Sequence, residues 1–106
     1  MTTTTKTVDQ LTVAQRSSYR KVVNFVTWRS DHEVKDSTIT GFEFGGNDVL
    51  VTIETGMAKD EGTLAEYLCR SMYMFFIGER GGIYYYENGR RRYCKYYEVK
   101  DERSRF

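Results

Sequence analysis

Six tyrosines crowd an arginine-rich segment near the end of the chain: Tyr84, Tyr85, Tyr86, Tyr93, Tyr96 and Tyr97 lie around Arg90-Arg91-Arg92. The chemistry these residues offer is recognition. Phenol rings supply rigid apolar faces with a polar tip, and guanidinium groups supply charge and fixed donors. Such a set suits a protein interface, where Tyr and Arg are enriched among the side chains that dominate binding. It also suits unpaired bases, on which rings stack while cations meet phosphate. Asn88-Gly89 in the middle is a strong signal for a type I′ turn, because both central residues need φ > 0. With these two as the loop, Glu87 faces Arg90, Tyr86 faces Arg91, Tyr85 faces Arg92, Tyr84 faces Tyr93 and Ile83 faces Cys94. Alternation then sends Ile83, Tyr85, Arg92, Cys94 and Tyr96 to one side, and Tyr84, Tyr86, Arg91, Tyr93, Lys95, Tyr97 and Val99 to the other. Ile83 and Cys94 are the pair easiest to bury, so the first side is assigned to the helices and the second to solvent. The expected partner-binding set is Tyr84, Tyr86, Arg91, Tyr93, Lys95 and Tyr97, with Arg90 at the turn. The bland alternative is structural: tyrosine is a good strand former, and cross-strand pairs stabilise a sheet by roughly 0.2–1 kcal/mol each.

Other reactive types are few. A Cys–His nucleophile pair must be drawn from His32 and either Cys69 or Cys94. Both cysteines fall in segments expected to be buried, where a thiol stays protonated, and His32 sits in a polar turn. Structural zinc takes four Cys/His ligands and the chain has three, so no metal site is expected. Asp31, Glu33 and Asp36, or Asp60 and Glu61, are loop carboxylates with no marked partners. Gly78-Glu79-Arg80-Gly81-Gly82 joins two elements instead of opening a helix, as a phosphate-binding loop does, and its glycines read as conformational. Met72 and Met74 read as core filling. No cofactor is expected.

The elements that must position the tyrosines follow from spacing. Thr12-Val13-Ala14-Gln15 fits a capping box, and Tyr19, Val22, Val23 and Val26 recur at helical spacing, which predicts a helix from about Val13 to Arg29. Its second half is rich in β-formers and is compatible with a strand. Ser37 to Thr55 reads as a hairpin around Gly45-Gly46-Asn47-Asp48, with a bulge or twist suggested at Gly41, where the apolar parity changes from Ile39 to Phe42 and Phe44. Thr63-Leu64-Ala65-Glu66 fits a second capping box, and Leu64, Leu68, Met72 and Phe75 or Phe76 form the stripe of a second helix ending near Gly78. The expectation is an α+β fold in the order α-β-β-α-β-β, with two helices packed on one side of a four-stranded antiparallel sheet.

A chain of 106 residues is expected to form one domain spanning 1–106, with loose tails at about 1–8 and 101–106. Net charge is +1, but its layout is uneven: residues 1–30 carry +4, residues 31–80 carry −6 and residues 81–106 carry +3. Such a layout creates local fields despite near-neutrality. No segment has the apolar core of a signal peptide or membrane span, and two cysteines make a poor disulfide framework, which points to the cytoplasm and to no membrane partner.

These features lead to a small non-enzymatic binding protein, an inhibitor or adaptor that occupies a surface of a partner protein or nucleoprotein complex through the Tyr/Arg hairpin. The general build resembles that of small phage-encoded proteins that block host defence complexes. The alternative is single-stranded DNA or RNA binding by tyrosine stacking with Arg/Lys phosphate contacts. A tyrosine-bearing edge strand or spare apolar helix surface also offers a route to a homodimer.

Overall fold

The computed structural model describes residues 3–30, 34–42, 46–55 and 71–102. Strand β1 (Thr3–Lys6) leads through a 3-10 turn into helix α1 (Val13–Ser30). Strands β2 (Val34–Phe42), β3 (Val49–Thr55), β4 (Ser71–Ile77), β5 (Ile83–Glu87) and β6 (Arg90–Cys94) follow, and a 3-10 turn covers Tyr96–Glu98. The strands form one sheet in sequential order, each antiparallel to its neighbours. The class is α+β, but the described residues hold one α-helix and six strands, not two helices and four strands.

The start of α1 is the predicted capping box. The Gln15 amide donates to Thr12 Oγ1 at 3.1 Å, and the Thr12 amide donates to Gln15 Oε1 at 3.0 Å. Gln15 is buried, and its Nε2 also donates to the carbonyls of Asn47 and Ile77, pinning the helix start to the ends of β3 and β4. Despite its β-formers, the second half stays helical to Ser30, because Val22 and Val26 fall on one side and are fully buried against the sheet. They share one cluster with Ile39, Val51, Ile53, Phe75 and Ile77. Each such side chain contributes roughly 1.5–3 kcal/mol through burial, which overrides weak helix propensity.

The predicted second helix is corrected over its C-terminal part. Met72 to Ile77 is strand β4, which pairs with β3 from Thr55↔Ser71 to Val49↔Ile77. Tyr73, Phe75 and Ile77 point to the α1 side and are buried, while Met72, Met74 and Phe76 point to the other. A strand apolar on both faces and a buried helix give the same near-continuous apolar run, so periodicity alone misassigns it. The second capping box at Thr63-Leu64-Ala65-Glu66 lies outside the described residues, as do Cys69, His32, Asp31, Glu33, Asp60 and Glu61.

Three smaller expectations also change. The N-terminal tail is not loose throughout, since Thr3–Lys6 pairs with Ile39–Phe42 as an edge strand. The C-terminal tail is anchored at its start: Asp101 bridges to Tyr73, and its Oδ1 accepts the Met72 amide at 3.0 Å. The register irregularity in β2 lies between Val34 and Asp36, whereas Gly41 pairs regularly with Val49 and Thr4. The end of the Lys6 side chain lies across Gly41, so a Cβ there would displace that flexible chain.

Candidate functional site

The β5–β6 hairpin carries the register that its turn dictates. Ile83↔Cys94, Tyr84↔Tyr93, Tyr85↔Arg92, Tyr86↔Arg91 and Glu87↔Arg90 are paired, with Asn88 at φ 53° and Gly89 at φ 77°. Positive φ at both central residues is the type I′ geometry. β4 pairs with only the first two residues of β5, Ile83 and Tyr84, so the tip of the hairpin extends past the β4–β5 ladder. Residues 86–93 are all exposed there.

On the sheet face turned away from α1, Tyr84, Tyr86, Arg91 and Tyr93 form one cluster with Phe76 of β4. Phe76 stacks on Tyr84 with centroids 5.2 Å apart and planes 9° from parallel. Tyr86 meets both rings edge-on at 5.5 and 5.8 Å. The Arg91 guanidinium carbon lies 4.2 Å from the Tyr84 centroid, within the distance for cation–π attraction. Its Nη2 donates to the Tyr86 hydroxyl at 3.1 Å and its Nη1 to the Tyr93 hydroxyl at 3.4 Å. Donating to the Tyr86 and Tyr93 phenol oxygens pushes the guanidinium's already high pKa further up, so Arg91 stays positively charged. Gly82 leaves room for the Tyr93 ring, which would stand 3.1 Å from a Cβ there.

The site residues expected from the sequence therefore divide. Tyr86 and Tyr93 are 51% and 66% exposed, and Arg90 and Arg91 are exposed with them. Tyr84 was expected at the surface and is only 3% exposed, covered by Phe76 and Arg91. Its hydroxyl donates to Asp48 Oδ2 at 2.6 Å, and burial, followed by that bond, pushes its phenol well above its ordinary value. Tyr84 therefore underlies the exposed cluster and presents almost no surface of its own. Lys95 and Tyr97 also leave the expected face, because β6 ends at Cys94 and the chain turns at Tyr96–Glu98 toward α1. There Lys95 Nζ lies 5.7 Å from the Tyr97 ring. Val99, also expected outside, is buried in the core, whereas Arg92, expected under the helices, is exposed.

Sequence reasoning missed Phe76 and Asp48. Phe76 was hidden by the helix assignment, and its place on the outer face follows only once Met72 to Ile77 is known to be a strand. Asp48 read as a turn residue, and nothing local reveals a bond to a residue 36 positions away. Among the other reactive groups, the Cys94 thiol is half-buried, and burial raises its pKa, which keeps it protonated.

The fold and this surface define a class in outline: an α+β domain with one helix packed on an antiparallel sheet, presenting a preorganised Tyr/Arg patch on a projecting hairpin. No family model, no curated protein and no solved structure matches the chain. No helix among the described residues is long and apolar enough to cross a membrane.

Proposed function

We propose that the protein is a non-enzymatic binder, an inhibitor or adaptor that occupies a surface of a partner protein or nucleoprotein complex with Tyr86, Arg90, Arg91 and Tyr93. The observation that carries this reading is Arg91, held between two exposed tyrosyl hydroxyls and against the buried Tyr84 ring. Most long cationic side chains lose rotamer freedom on binding. This one is already fixed, so less of its contact energy is spent on ordering. Arg with neighbouring Tyr is also the composition that dominates interface energetics. The same rings are a poorer platform for stacked bases, because Tyr84 is already covered and Tyr86 packs edge-on against its neighbours.

The test is affinity capture from a candidate host lysate, with and without nuclease, comparing the native chain with the double variant Arg91→Ala/Tyr93→Ala. A specific protein retained by the native chain, lost by the variant and indifferent to nuclease is the expected result. Recovery of nucleic acid alone, or equal retention by the variant, discards the reading.

A further inference from the structure

A second surface of rings and cations lies over α1, on the opposite side of the sheet from the Phe76–Tyr84 cluster. Helix α1 carries Arg16, Arg20, Lys21 and Arg29 and no acidic residue. Where it meets the Tyr96–Glu98 turn, an open groove is lined by Lys21, Asn24, Phe25, Trp28, Tyr96 and Tyr97. Phe25 is the hub of its rings, with Trp28 and Tyr96 each 6.1 Å away and Tyr97 edge-on to Tyr96 at 5.3 Å. Trp28 is 78% exposed, an unusual position for the largest apolar side chain unless something covers it. A second depression shares Lys21 and Asn24 and continues to Arg20, Ser17 and Val13. The two form one track spanning about 22 Å of helix. Arg16 also lines the second depression, with its Nη2 turned to the Asp9 and Leu11 carbonyls.

We infer that this track binds single-stranded nucleic acid, with bases stacking on Trp28 and Tyr97 and phosphates meeting Arg20, Lys21 and Lys95. Flat faces and point charges along one line match the base-and-phosphate repeat of a single strand. An acidic peptide satisfies the cations but offers no planar groups for the rings. A protein interface core is depleted in lysine, which is instead a common phosphate binder. Duplex keeps its bases stacked on one another, so the rings select unpaired strands. This inference is independent of the hairpin reading, since neither surface contributes residues to the other.

Trp28 is the chain's single tryptophan, so its emission reports on this track alone. The experiment titrates the full chain with oligo(dT), oligo(U), a duplex of equal length and poly-glutamate, using oligomers of about 12 nucleotides. The expected result is quenching by one or both single strands, with an association constant falling steeply as salt rises. Lys21→Ala should lower the log–log salt slope by about 0.7. Trp28→Ala, followed by anisotropy of a labelled strand, should weaken binding about tenfold or more. Arg91→Ala/Tyr93→Ala should change neither, which separates failure here from failure of the hairpin reading. Variants are compared only where far-UV circular dichroism matches the native chain. Absence of quenching by both single strands overturns the inference. So does quenching that survives Arg20→Glu/Lys21→Glu, or quenching by poly-glutamate alone.

Discussion

Tyr84 shows how one side chain supports a surface it does not itself present. Its ring lies under Arg91, its face stacks on Phe76, and its hydroxyl reaches Asp48. Tyr84→Phe keeps the ring and removes the bond to a carboxylate, so it should destabilise the fold by about 1–2 kcal/mol in urea unfolding. Partner capture by the exposed Tyr86, Arg91 and Tyr93 should persist. The same residue sets an alkaline limit. Burial and the Asp48 bond raise its pKa above the ordinary 10.0, and burial followed by the charge of Asp101 raises that of Tyr73. Both phenols hold their protons longer in the folded chain than in the unfolded one. Stability is therefore undiminished by them below pH 10.0 and falls as pH rises through the folded values. Half-buried Cys94 adds to the same downward slope. Unfolding midpoints measured across alkaline pH should fall less steeply for Tyr84→Phe than for the native chain. Parallel curves would show that Tyr84 titrates alike in both states.

At the scale of elements, two glycine turns frame β5 and need glycine for different reasons. Gly89 sits at φ 77° with nothing within 4 Å of an added Cβ, so a substitution there meets only the backbone penalty of the left-handed region. Gly81 sits at φ 89°, and an added Cβ would stand 2.8 Å from the Ala14 carbonyl oxygen of α1. Gly89→Ala should cost about 1–2 kcal/mol. Gly81→Ala should cost more, because the strand-to-helix contact must also open. Urea midpoints of the two variants check the order, and equal costs would mean that α1 moves aside freely. The hairpin was legible in the sequence because its determinants are local: Asn88-Gly89 sets the turn, and the turn sets every pair up to Ile83↔Cys94. Strand β4 was not legible, because its inner face answers to α1, far away in sequence. Its outer face is also apolar, so the alternation that marks a strand is missing.

At the scale of the molecule, sequential antiparallel order leaves β1 and β6 as the two sheet edges among the described residues. β6 contains Arg90, Arg91 and Arg92, and a second copy adding to this edge antiparallel would bring like charges together. Such repulsion is expected to disfavour self-pairing along this edge. Arg90→Thr/Arg92→Thr, which spares Arg91, should give larger species on size-exclusion chromatography as concentration rises, while the native chain elutes unchanged. A native dimer joined through β6 would contradict this account. The same architecture separates two ring-bearing surfaces, one on the bare sheet face and one over α1, so each can be altered without touching the other.

Local chemistry by itself determined the capped start of α1 at Thr12, the turn at Asn88-Gly89 and the alternation along β5 and β6, because each depends on residues a few positions apart. It also determined that tyrosine and arginine would be neighbours. Which of them meet solvent was decided by the tertiary structure alone. Phe76 arrives beside Tyr84 through pairing with β4, Asp48 arrives from the β3 end, and Tyr97 leaves with the turn toward Phe25 and Trp28. Burial depends on what packs from elsewhere in the chain, and alternation assigns a residue to a face without saying what covers that face.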